Sequence, residues 1–92
     1  MDRFSQYIDG TFDEGSVQAD SLDPATGAAW ARIPMATAGD VDRAVRAAHR
    51  AFVSGPWPAM TASARGKLLL RLADLVQAAA PRLAALETRD TG

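Results

Sequence analysis

Apolar positions change their spacing near residue 36. Before it they come in short runs broken by Gly, Pro and Asp, and after it they recur every three or four residues. The first pattern predicts short strands and turns over 1–36, and the second predicts helices. Gln6-Tyr7-Ile8 and Thr11-Phe12 flank Asp9-Gly10, a pair that accepts the positive φ of a tight hairpin turn. A second extended run is expected around Gln18–Leu22. Asp23-Pro24-Ala25-Thr26-Gly27 then predicts a turn: Asp bonds nearby backbone, Pro fixes φ, and Gly takes the left-handed conformation. Ala29, Ala31 and Ile33 alternate with Trp30 and Arg32, which predicts a half-buried strand stopping at Pro34.

The first helix is expected over 37–54. Thr37 is an N-cap with Asp40 three residues on, a relative of the capping-box Glu. Val41, Ala44, Val45, Ala48 and Phe52 make one apolar stripe, and Asp42 and Arg46 form a favourable pair away from it. Gly55 and Pro56 stop the helix. Trp57, Pro58 and Met60 read as a short apolar connector. Thr61 or Ser63 caps a second helix over 61–80, with Leu68, Leu69, Leu72, Leu75, Val76 and Ala79 on its buried side. Pro81 restricts Ala80 and suits the first turn of a third, shorter helix over 81–89 carrying Leu83 and Leu86.

Composition thins this picture. The chain has 92 residues, and 20 of its 44 apolar ones are Ala, which leaves 24 large side chains for a core. Each Ala buries little area, and domains of this size are already marginal. The absence of Cys excludes a disulfide framework, a thiolate metal site and a thiol nucleophile within these residues. A net charge of −1 gives no reason to expect a nucleic-acid or membrane partner. No signal peptide or spanning helix is apparent, so a cytoplasmic setting is the expectation.

No catalytic constellation stands out. There is neither a GxGxxG nor a GxxxxGK[ST] phosphate loop, and no Ser/His/Asp arrangement with a local signature. His49 falls on a polar helix face beside Arg46 and Arg50 and reads as a solvated residue, not a general base. The Arg43, Arg46 and Arg50 face could touch phosphates as part of a helix-turn-helix, but acidic neighbours favour a solvated face. Trp30 and Trp57 could stack a ligand, yet aromatic residues beside turns are more often packing anchors. Asp23 reads as turn chemistry.

The order of elements is more specific than any one of them. Tyr7-Ile8-Asp9-Gly10-Thr11-Phe12 precedes Asp23-Pro24-Ala25-Thr26-Gly27 and Ile33-Pro34. Asp40-Val41-Asp42-Arg43-Ala44-Val45, Ala51-Phe52 and Gly55-Pro56-Trp57 with Met60 follow. Arg65, Leu68-Leu69, Leu72-Ala73-Asp74-Leu75 and Leu83-Ala84-Ala85-Leu86-Glu87-Thr88 complete the series. This series resembles the amino-terminal segment of an NAD(P)-dependent aldehyde dehydrogenase, from about Tyr7 to Gly92. Asp23 stands where the family commonly has Asn, and Ala28-Ala29 where Glu-Val is usual. The family's closing motif commonly runs on to Lys, whereas this chain stops after Gly92, so a fragment is expected.

The resemblance implies an α/β parent fold with a Rossmann-like NAD(P)-binding domain, a catalytic domain and an oligomerisation arm. This chain would supply strands and outer helices of the first, with the catalytic domain absent. Family members oxidise aldehydes to carboxylic acids through a Cys thiolate, hydride transfer to nicotinamide and a Glu-activated water. Neither the Cys nor the Glu maps here, and Glu87 belongs to a helical motif outside the active site. No catalytic or cofactor-binding residue is therefore assigned, and neither NAD nor NADP is expected to bind this segment. Some members hold a monovalent cation through backbone carbonyls before the Pro-Ala-Thr-Gly turn and an Asp in the closing motif, and the matching positions are Ser21, Leu22 and Asp90. The implied partners are the remainder of the chain and further copies, as a dimer or tetramer. The alternative reading is a small α+β interaction module or remnant without catalysis.

Overall fold

A computed structural model of the chain describes all of residues 1–92. Strands β2 (Gln6–Ile8) and β3 (Thr11–Asp13) pair antiparallel, with Tyr7 opposite Phe12. Asp9 and Gly10 turn the chain at φ 52° and 78°. Two successive positive φ values give the turn the twist of the flanking strands. The Tyr7 and Phe12 rings meet at 4.7 Å between centroids, a cross-strand pair that adds to the two short ladders.

A second sheet has the order β1-β5-β4, with β1 (Asp2–Arg3), β4 (Gln18–Leu22) and β5 (Ala29–Pro34). β4 runs antiparallel to β5, with a register shift between Ser21 and Leu22, and β1 runs parallel to β5. The turn from β4 to β5 is built on Asp23. Its carbonyl accepts from Thr26 and Gly27, and its carboxylate accepts from the Ala25 N–H at 2.8 Å. β5 departs from simple alternation, because adjacent Trp30 and Ala31 are both buried, at 7% and 0% exposure. Trp30 is covered by Phe4 and Arg89, and the small Ala31 side chain on the opposite face lies between its partners Asp2 on β1 and Ser21 on β4. β1 was not anticipated, since Asp2-Arg3 carries no alternation and pairs with residues about thirty positions away.

Helix α1 spans Ala38–Val53. Its N-terminus closes reciprocally: the Asp40 N–H donates to Thr37 Oγ1 at 3.2 Å, and the Thr37 N–H donates to Asp40 Oδ2 at 2.9 Å. An Asp therefore completes the capping box here. The Thr37 backbone N–H and then the Arg43 guanidinium at 2.8 Å hold the Asp40 carboxyl well below the usual carboxylate range. Asp40 in turn pushes Arg43 up.

Residues Pro56–Ala59 form a helical turn, α2, where the sequence suggested only a connector. Both Pro56 and Pro58 fall in a first turn whose N–H groups need no intrahelical acceptor. The Met60 N–H closes α2 on Pro56 and Trp57 carbonyls, and Arg65 donates back to the Met60 carbonyl. α3 covers Ala62–Ala78 and is capped by Thr61, whose Oγ1 accepts from the Ala64 N–H at 3.1 Å. α4 covers Ala80–Thr91, with Pro81 in its first turn. It extends beyond the helix expected over 81–89, and its last turn is held by the Gly92 N–H on the Thr88 carbonyl at 2.8 Å.

These elements make a slab of 49 × 33 × 15 Å with a radius of gyration of 16.8 Å. A closely packed chain of this length has about 12 Å. The accessible surface is 6984 Å², against about 5,100 Å² for a compact monomer of this mass. The helix stripes account for much of the difference. Val45, Phe52 and Leu72 are 61%, 76% and 55% exposed, with Val41, Leu68, Leu69 and Leu75 exposed beside them. What does hold α1 to the hairpin is polar: Arg50 donates to Asp9 at 2.9 Å, and Arg43 reaches Asp13 at 3.8 Å.

Thr37→Ala is expected to cost α1 about 1 kcal/mol by removing its cap, read as faster amide exchange over its first turn. It should also raise the Asp40 carboxyl in a carbon-detected NMR titration. Because Asp40 is depressed on folding, its stabilisation is complete above the ordinary value of 3.8 and is lost as pH falls below it. Asp40 titrating with the exposed carboxylates would refute this.

Candidate functional site

The most constructed region is where the last turn of α4 meets the sheet. Trp30 on β5 packs edge-on to Phe4, at 5.9 Å and 71° between rings. The Arg89 guanidinium lies 5.2 Å from the Trp30 ring centroid, within range of a cation–π contact. Trp30 Nε1 is buried without an acceptor. Beside this stack the Ser21 hydroxyl donates to Asp90 Oδ1, joining β4 to α4. Gly92 sits against the 23–27 turn, so that a Cβ there would lie 3.3 Å from Pro24 Cβ. Phe4, Trp30, Ile33, Leu86, Glu87 and Asp90 line a shallow hollow of about 290 Å³ at the junction.

The fold thus brings together two of the three positions singled out for a cation, Ser21 and Asp90, with Leu22 next along β4. The chemistry they offer is partial. One carboxylate and one hydroxyl are bonded to each other, and no group of three or more His, Cys, Asp or Glu side chains gathers to hold a metal ion. A hard monovalent ion here needs further oxygen donors from outside these residues.

The basic face of α1 is neutralised locally. Arg43 binds Asp40, Arg46 binds Asp42 at 2.8 Å, and Arg50 binds Asp9. His49 is exposed beside them. With each arginine already facing a carboxylate, the face lacks the unpaired positive charge that phosphate contacts require. Trp57 lies with Phe52, Pro58 and Arg65 around α2 as part of the helix junction, and Glu87 stands on the rim of the α4 hollow. Gly39 and Gly66 lie inside α1 and α3, Gly92 caps α4, and Gly10, Gly15, Gly27 and Gly55 lie in the connections between elements, so none builds a phosphate-cradling loop.

Sequence reading missed the Arg89–Trp30 and Ser21–Asp90 contacts as packing features. Their partners are 59 and 69 positions apart, and no local spacing marks them.

Residues 12–92 match the aldehyde dehydrogenase family. The chain belongs to that family. It is 56% identical over its whole length to (Z)-2-((N-methylformamido)methylene)-5-hydroxybutyrolactone dehydrogenase of Acinetobacter baylyi, of which it covers 19%. It is 50% identical over 72 residues to the mitochondrial aldehyde dehydrogenase family 2 member B4 of Arabidopsis thaliana, covering 78% of this chain and 13% of that protein. A putative aldehyde dehydrogenase of Bacillus subtilis, DhaS, is 43% identical over 88 residues, or 94% of this chain and 18% of the relative. The chain therefore spans about a fifth or less of the length of these relatives. Its sheet and α4 junction fall inside the matched residues, apart from Phe4 and β1.

Trp30→Ala should loosen the α4 junction locally, since it removes the ring that Phe4 and Arg89 pack against. Hydrogen exchange should show the amides of α4 losing protection before those of α1. Unchanged protection in α4 would mean that Trp30 is not what holds it.

Proposed function

We propose that this chain is the N-terminal part of the NAD(P)-binding domain of an aldehyde dehydrogenase that oxidises an aldehyde to a carboxylic acid with NAD or NADP. The observation that carries this reading is the pairing of family membership with an uncovered apolar face. The chain matches the family across 12–92 yet spans 19% of a relative to which it is 56% identical. Its surface exceeds that of a compact monomer by roughly 1,900 Å², more than the ~800 Å² per partner of a standard interface. Excess surface of that size, with exposed apolar helix stripes within it, calls for a core-like cover, and the rest of a Rossmann-like α/β polypeptide supplies one. The role of these residues is then structural: they shape and cover the cofactor domain from outside. The nucleophile, the base and the groups that hold NAD or NADP come from the remainder, and assembly as a dimer or tetramer in the cytoplasm completes the proposal. The slab disfavours the alternative of an autonomous α+β interaction module, since such a module buries its own stripes.

The purified 92-residue chain is expected to show no aldehyde-dependent NAD(P)H formation, while the polypeptide continuing beyond Gly92 shows it. Turnover by the 92 residues alone would overturn the structural role, and inactivity of the longer polypeptide across aldehydes would overturn the enzymatic one. Val45→Asp and Leu72→Asp are expected to destabilise the longer polypeptide by more than about 3 kcal/mol, because each places a charge in a covered face. In the isolated chain the same changes should be nearly silent. Silence in both would show that these positions are never covered, and equal losses in both would show that the isolated chain covers them by itself.

We also propose that Ser21, Leu22 and Asp90 contribute to a monovalent cation site completed by the rest of the polypeptide. Raising sodium or potassium should raise the melting temperature of the longer polypeptide, and Asp90→Ala should abolish that response. A response unchanged by the substitution would place the ion elsewhere.

A further inference from the structure

We draw no further inference here: the strongest candidate, the exposed apolar stripes of Val41, Val45 and Phe52 on α1 and of Leu68, Leu72 and Leu75 on α3, belongs to the packing surface already given to the rest of the polypeptide, and nothing in the structure shows a second occupant.

Discussion

The burial of Trp30 is the contact on which the arrangement of the sheet and α4 depends. Phe4 covers its edge, Arg89 covers its face, and the Ser21–Asp90 bond runs alongside. Only Trp30 and Ala31 are buried in the whole chain, so the nearest thing to a core is one indole and one methyl group on the central strand. A cation over an aromatic ring contributes about 0.5–2 kcal/mol. The sheet can therefore position α4, but little in these residues positions α3.

The other end of the slab relies on charges. Asp9, Asp13 and Asp40 face Arg43 and Arg50 across the hairpin and α1, and the Gln6 side chain ties Asp13 to the same group. Exposed pairs of this kind contribute little individually and weaken with salt. They set the angle of α1 against the hairpin more than they stabilise it. This explains how a helix can keep a defined place while its apolar stripe remains in water. The capping box gives α1 a fixed start, the ion pairs give it an orientation, and neither buries Val45 or Phe52.

Legibility in the sequence followed the range of the interactions. Thr37 with Asp40, the Asp9-Gly10 turn, and the Asp23 to Gly27 turn are local chemistry, and the residue types that perform it stand within four positions of each other. Pro56 and Pro58 misled because prolines suggest a break, whereas at the start of a helix their missing N–H groups cost nothing. β1 and the Arg89–Trp30 stack left no trace in spacing, being made by ordinary residues far apart along the chain. Resemblance to a family reached further than periodicity, because it drew on the order of many weak local signals together. The candidate cation positions came from that resemblance alone, and of the three the fold joins Ser21 to Asp90.

The closure between residues 21–30 and 89–92 has a consequence for cooperativity. It links strands near the start to a helix at the far end, while α1 and α3 between them bury no residue and α1 is tied to the hairpin only through exposed ion pairs. Such a chain lacks the shared core that makes all its parts melt as one. Breaking the closure frees α4 from the sheet and leaves the capped helices and the hairpin to lose order separately. Taken alone, these 92 residues should unfold as a graded sequence of local openings, and all-or-none behaviour enters only when a common interior joins the pieces.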